Sequence, residues 1–337
     1  MQEARFYEKR EDNKVHCYLC AHGCVIDPRK RGICGVRENR QGTLYSLVYG
    51  KIISQNIDPI EKKPLFHFLP GSRSFSIATV GCNFQCEFCQ NWEISQLPRF
   101  EPGELPGQDL TPAQVVERAQ ATGSASIAYT YTEPTISAEF NYDTAVLARE
   151  QGIRNVFVSN GFMSERSAKA MAEILDADNI DLKSFNDSFY RKICKARLQP
   201  VLTTIELLKE LGVWVEVTTL VIPGLNDSDQ ELQEIAQFLV GVDAAIPWHV
   251  SAFYPTYKML NRPRTPAATL QRARQIGLDA GLRYVYTGNI PGDAGEKTFC
   301  YACGAVVIDR VGFAIRHNYL QDGACGKCGA PIDGVWQ

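Results

Sequence analysis

The pattern of apolar and polar positions changes character near residue 72. Beyond it, short β-branched and aromatic runs at 74–80, 126–131, 155–159, 179–182, 213–221 and 247–253 read as strands, separated by stretches with helical spacing. Thr111-Pro112 puts an N-cap and a first-turn proline at the start of one such helix, and Gly123 closes it. Largely apolar strands that alternate with helices mean a parallel sheet covered by helices. Six such units fall short of a closed eightfold barrel, so the pattern predicts an α/β fold, a partial (β/α)6 barrel. Ahead of it, residues 43–69 carry short β-branched and aromatic runs and then Pro59-Ile-Glu-Lys-Lys-Pro64, a small β segment leading into the core. The chain divides into a cysteine-rich N-terminal part with that β segment (1–70), the barrel (71–292) and a tail with its own cysteines (293–337). Binding sites of such folds gather at the carboxyl ends of the strands. The unusual polar residues of this chain fall at those ends.

Composition narrows the class. With 45% hydrophobic and 22% charged residues and a net charge of −3 over 337 residues, the chain reads as a globular enzyme without a polyelectrolyte signal. The charged N-terminus lacks the apolar core of a signal peptide, and no apolar run approaches a bilayer-spanning length. A cytoplasmic protein is expected, and its twelve cysteines read as metal ligands rather than disulfide partners. They form three sets plus one: Cys17, Cys20, Cys24, Cys34; then Cys82, Cys86, Cys89; then Cys300, Cys303, Cys325, Cys328; and Cys194 alone. The last set is two C-x2-C knuckles, each followed by a glycine, and reads as a zinc ribbon; a rubredoxin-type iron site has the same ligands. The first set suits zinc or an auxiliary iron–sulfur cluster, and spacing does not choose between them. His16 and His22 beside it read as loop or neighbouring residues rather than ligands.

The middle set differs in count. Val80-Gly-Cys82-Asn-Phe-Gln-Cys86-Glu-Phe88-Cys89 is a C-x3-C-x2-C triplet on a short loop, one thiolate short of the four that close a 4Fe-4S cluster or a structural zinc site. A cubane held by three cysteines leaves one iron open for chemistry; the plain alternative is zinc with a remote fourth ligand. This spacing resembles the radical S-adenosylmethionine (SAM) superfamily, and the resemblance implies that the open iron chelates SAM and that Phe88 lies against its adenine. Further stretches resemble a narrower group: residues 17–34 with Gly-Val-Arg, Asp58-Pro-Ile-Glu-Lys-Lys-Pro-Leu-Phe-His67, Gln90-Asn91-Trp92-Glu93-Ile-Ser-Gln96 and Val285-Tyr-Thr-Gly-Asn-Ile-Pro-Gly292. These look like the radical SAM enzymes of the AmmeMemoRadiSam system, often labelled pyruvate-formate-lyase-activating-enzyme-like.

The resemblance carries a cofactor site with it. Glu133, in Tyr131-Thr132-Glu133-Pro134, takes the place of the family's Gly-Gly-Glu, keeping the glutamate but not the glycines, and would bind the SAM ammonium. Ser159 and Asn160 would meet ribose or methionine polar groups, or else form an Asn-Gly turn. Asp181 and Lys183 resemble the Asp-Leu-Lys of the activases, on one strand face; Lys183 would neutralise the SAM carboxylate, unless the two simply pair. His249 matches a SAM-proximal histidine, or else is a satisfied core residue, and Thr218 and Thr219 are ordinary strand residues. Cys194 has basic neighbours that would lower its pKa, which suits a catalytic hydrogen-atom donor; the alternative is a buried, inert cysteine. The implied activity is reductive cleavage of SAM followed by hydrogen abstraction, most simply from a protein, with an electron donor such as ferredoxin or flavodoxin. AMMECR1-like and Memo-like proteins are the implied partners. RNA is the other substrate class, since zinc ribbons commonly touch nucleic acid. A non-catalytic zinc scaffold with three closed sites is the rival class, against which the three-thiolate count speaks.

Overall fold

The computed structural model describes residues 1–101, 103–290 and 292–337, so Pro291, within one of the family-like stretches above, lies outside the described residues. One eight-stranded sheet organises the chain: Ser54–Pro59 (β1), Arg73–Ala78 (β2), Ser126–Tyr129 (β3), Arg154–Ser159 (β4), Ala177–Asp181 (β5), Trp214–Val221 (β6), Trp248–Ala252 (β7) and Val285–Gly288 (β8), in sequence order across the sheet. β2 to β8 run parallel, whereas β1 pairs antiparallel with β2. The crossovers carry Pro112–Ala121 (α1), Ala138–Glu150 (α2), Glu165–Ala172 (α3), Gln199–Glu210 (α4), Asp229–Asp243 (α5) and Ala267–Asp279 (α6). The expected partial (β/α)6 barrel is therefore present, with one strand added at each edge. The β segment expected within 43–69 is present as Thr43–Ser46, Lys51–Ile52 and β1, and β1 joins the main sheet by pairing along the open side of β2.

Local chemistry sets the helix starts. Thr111 and Ser164 each close a capping box with the residue three positions on, and Ser228 accepts from the Glu231 amide. The outward strand residues Phe157, Ile180, Val217 and Trp248 bury against helix residues such as Val115, Ala145, Ile205, Leu232 and Leu270.

The inward face is filled differently. Residues 60–69 enter the lower half of the barrel, where Ile60, Leu65 and Phe68 pack on Ala128, Val156 and Ala177. Polar bonds fix this plug: Glu216 accepts from the Phe66 and His67 amides (3.0 and 2.8 Å), and Asn179 donates to the Pro64 carbonyl (2.8 Å). Two lobes flank the barrel. The N-terminal lobe holds two small antiparallel sheets and is clamped to α2 by a buried bidentate pair, Arg37 with Glu139 (2.7 and 2.9 Å). The tail holds a three-stranded antiparallel sheet and a short hairpin ending at Cys325. Among the described residues, no helix is long and apolar enough to cross a membrane.

Candidate active site

β2 delivers the cysteine triplet at the upper end of the sheet. Gly81 turns the chain at a φ of +100°, and a Cβ there would stand 2.6 Å from Val36 Cγ1 and 3.1 Å from the Cys34 carbonyl. Only glycine allows so close an approach of the N-terminal lobe. The loop is then tied down on its other side. Its Gln85 and Glu87 amides donate to the carbonyls of Cys194 and Ile193 (2.9 and 3.2 Å), in a single π-helical turn over Tyr190–Cys194. The Glu87 carbonyl accepts from the Lys258 amide (3.0 Å).

The donor set fits an iron–sulfur cluster. Burial, Glu133 and Cys86 all push the Cys82 thiol well above its ordinary range, and burial raises Cys89. Contact with the Cys194 thiol, then burial, does the same to Cys86. Three thiols so placed ionise together only around a positive centre, which is what a cluster provides. The Phe84 amide faces Cys82 Sγ at 3.3 Å, and Ser95 Oγ lies 3.3 Å from Cys89 Sγ.

Residues expected at the strand ends separate into two groups. Glu133, Asn160, Asp181, Lys183 and Phe88 gather around the triplet. Glu133 is buried, taking the Thr135 amide and hydroxyl on one oxygen (3.0 and 2.5 Å) and the Asn160 amide on the other (2.8 Å). Burial pushes its carboxyl pKa up. Asn160 Nδ2 donates to Asn83 Oδ1 (2.7 Å) and stands 3.9 Å from Cys82 Sγ, so it braces the loop. Lys183 Nζ lies 2.9 Å from Asp181 and 5.8 Å from the Phe88 ring centre. Burial opposes its charge, but Asp181 and the thiols of Cys86 and Cys194 hold it protonated.

The second group is engaged elsewhere. Ser159 Oγ faces outward and donates to Asp178 (3.0 Å). His249 is buried in the barrel, 2.7 Å from Glu216, stacked on Tyr286 and edge-on to Phe66, so its imidazole braces the plug. Thr218 and Thr219 bond Asn179 Oδ1 and the Leu182 carbonyl (both 2.9 Å). Cys194 is 0% exposed, which seals the thiol expected as a hydrogen-atom donor away from any macromolecule.

Two neighbours brace the loop, Arg99 unforeseen in the sequence and His22 read there only as a residue beside the first set. Arg99 donates to the Cys82 and Ile33 carbonyls (both 2.8 Å) and to Gln96 (2.7 Å), and His22 Nε2 donates to the Asn83 carbonyl (2.9 Å). Inside the barrel, Lys63 bonds Asp58 (2.6 Å) and lies 4.5 Å over the Tyr131 ring, while the Tyr131 hydroxyl donates to Asp58. Burial lowers the Lys63 pKa to about 8 despite Asp58. The family-like runs 58–67 and 90–96 contain several of these residues, and that was their only signal.

The tail quartet is the tightest cysteine set. Cys300 and Cys328 sulfurs stand 3.7 Å apart, Cys303 and Cys325 sulfurs 3.8 Å, and all four lie within 4.8 Å of one another. A tetrahedral zinc with Zn–S bonds of about 2.3 Å sets its sulfurs about 3.8 Å apart, so this set fits a single ion. The Cys328 and Lys327 amides hold the Cys325 thiol down at about 7.

Comparison with known proteins agrees with this geometry. A family profile described as the radical SAM superfamily matches residues 76–239. An uncharacterized protein of Methanocaldococcus jannaschii, MJ0808, is 48% identical over 336 residues, 99% of each chain. The pyruvate formate-lyase 1-activating enzyme of Escherichia coli K12 is 24% identical over 172 residues, 50% of this chain and 69% of that one. In fold, the chain resembles the crystal structure of a radical SAM methyltransferase from Sphaerobacter thermophilus, with a TM-score of 0.52 and 19% identity over 68% of this chain and 71% of that one. The chain belongs to the radical SAM superfamily.

Proposed function

We propose that this protein cleaves SAM reductively at a 4Fe-4S cluster held by Cys82, Cys86 and Cys89 and uses the resulting 5′-deoxyadenosyl radical to take hydrogen from a protein substrate. The observation that carries the reading is the set of three thiols at the end of β2, with Lys183, Glu133, Asn160 and Phe88 around it. The bound cluster supplies the electron that breaks the sulfonium C–S bond. The chain's own residues do the positioning. Lys183 is a cation facing the triplet and suits the SAM carboxylate as a point charge. Glu133 keeps one lone-pair site beyond its three bonds, enough for an ammonium hydrogen. Phe88 offers an apolar face to the adenine, and Asn160 holds the loop still.

A protein substrate follows by analogy with the Escherichia coli relative, whose name makes it the activating enzyme of pyruvate formate-lyase. The narrower placement, with the AmmeMemoRadiSam enzymes and their AMMECR1-like and Memo-like partners, rests on the sequence stretches quoted above. Ferredoxin or flavodoxin is the proposed electron donor and the cytoplasm the proposed location. The test is anaerobic reconstitution followed by dithionite and SAM, with 5′-deoxyadenosine and methionine followed by chromatography. Deoxyadenosine should form with the intact triplet and not in Cys86→Ala. A protein with a verified four-iron cluster that forms none, alone or with candidate partner proteins, refutes the reading.

A further inference from the structure

We propose that Cys17, Cys20, Cys24 and Cys34 hold a second iron–sulfur cluster, which receives electrons from a donor and passes them to the triplet. The electron-passing part rests on the radical SAM reading of the triplet; the metal assignment does not. Sulfur spacing is the first argument. Cys17 and Cys24 face each other across an antiparallel pair, Cys20 sits in the turn between them and Cys34 comes in ahead of Gly35, so the four thiols share one knuckle. Yet among the described residues only the tail quartet has three or more ligand atoms mutually within 4.8 Å. The N-terminal quartet is set wider than the single-ion arrangement of the tail quartet. In this it resembles the triplet, whose superfamily binds a cubane. A polynuclear cluster interposes its own irons and sulfides and so sets its thiolates further apart.

The second argument is position. The lobe bearing the quartet is seated on the cysteine loop of the barrel, as Gly81 shows by its approach to the Cys34 carbonyl. Arg99 bonds the carbonyls of Ile33 and Cys82 with one guanidinium nitrogen, linking the neighbour of one ligand to another ligand (both 2.8 Å). His22, two residues from Cys20 and Cys24, bonds the Asn83 carbonyl next to Cys82 (2.9 Å). The two sets are thus joined by three short contacts. The outer side of the quartet reaches solvent: Cys20 and Cys24 are partly exposed, and Ile33, next to Cys34, is 43% exposed. That arrangement fits the approach of a one-electron carrier of the ferredoxin or flavodoxin class. The carrier is oxidised by one electron, and the quartet's cluster is reduced by one and reoxidised as the triplet's cluster is reduced. No bond is made or broken and no proton moves.

The test uses the full chain, reconstituted anaerobically, with iron, acid-labile sulfide and zinc counted. Wild type should hold about eight irons with matching sulfide and about one zinc. A variant with Cys82, Cys86 and Cys89 all changed to alanine should keep about four irons with sulfide, and an electron paramagnetic resonance (EPR) signal that SAM leaves unaltered. Cys17→Ala with Cys20→Ala should lose that iron yet keep the SAM-sensitive signal. Zinc in the quartet, or iron without sulfide, overturns the metal assignment, and the wild-type count decides this even where a variant does not fold. In fully reduced wild type the two signals should broaden each other, and each should sharpen when the other cysteine set is removed. Two unbroadened signals overturn the electron-passing role. Loss of SAM sensitivity everywhere, with both clusters present, is failure of the proposed function and not of this assignment.

Discussion

Gly81 carries more of the site than any polar residue, because its missing side chain lets one lobe reach the other. Gly81→Ala must adopt a φ of +100° and push Val36 and the Cys34 carbonyl aside. The expected cost is about 1–3 kcal/mol of stability, together with reduced iron loading of the triplet; denaturant melts and iron counts check both. Lys183→Met should weaken SAM binding by roughly tenfold to a hundredfold, the worth of a charge-assisted bond, with the cluster's absorption unchanged; calorimetry against SAM reads it. Cys194→Ala should cost about 1 kcal/mol through a small cavity and leave deoxyadenosine formation intact, because the thiol is sealed and its turn holds the loop through backbone carbonyls. Deoxyadenosine still formed with the substrate's hydrogen, but no reduced product, in that variant would restore a direct role for the thiol. At this scale the ligands were legible, since C-x3-C-x2-C is a local pattern. Arg99 was not, because it acts through backbone carbonyls far from its own position; His22 was read only as a residue beside the first set, and the bond of Asn83, inside the motif, to Asn160 was not read. His249 sits on the strand face expected of it, but Glu216 and Tyr286 draw its imidazole into the plug.

At the scale of elements, the parallel strands were legible because each is apolar and bounded by turn residues. Of the two edge strands, β1 fell within the β segment expected at 43–69 but not as a strand of this sheet, and β8 appeared only in a family-like run. The plug was quoted as a family-like run, but nothing in its spacing says that it enters a barrel. Its centre, His67, gives it a pH signature. The imidazole is buried between the Asp333 carbonyl (2.6 Å) and the Tyr286 hydroxyl (2.5 Å), and burial lowers its pKa from 6.5 to about 4. The unfolded chain therefore binds a proton that the native plug refuses. Stability from this group is complete above pH 6.5 and is lost as pH falls from 6.5 towards 4, on the order of 3 kcal/mol at the end of that range. Urea melts across the window should show the loss in wild type and a flatter profile in His67→Gln. An equal slope in both would place the acid sensitivity elsewhere.

The whole molecule couples the tail to the barrel through that same plug. Arg310, fully buried on the ribbon's sheet, donates to the Phe66 carbonyl (2.6 Å) and to Thr298 (2.5 Å), and lies 3.8 Å from Glu61. Further along, Val335 donates to the His67 carbonyl and accepts from the Leu69 amide (both 2.7 Å), and Asp333 pairs with Arg283 (2.9 Å). The plug is thus gripped from inside by Glu216 and from outside by the tail. The four, three and four grouping of cysteines was legible, but these long-range seats were not, since they join residues hundreds of positions apart. They imply that metal in the tail stabilises more than the tail. A short segment of this kind folds on its metal, so Cys325→Ser with Cys328→Ser should release residues 298–337 and with them the outer grip on residues 66–69. Hydrogen exchange at the Phe66, His67 and Leu69 amides should then quicken by about tenfold or more, the effect of roughly 1.4 kcal/mol of lost protection. The strands β3 to β5, held by their own helices, should keep their protection. If the plug amides hold theirs too, Glu216 alone secures the plug and the ribbon is an appendage of the barrel rather than part of its closure.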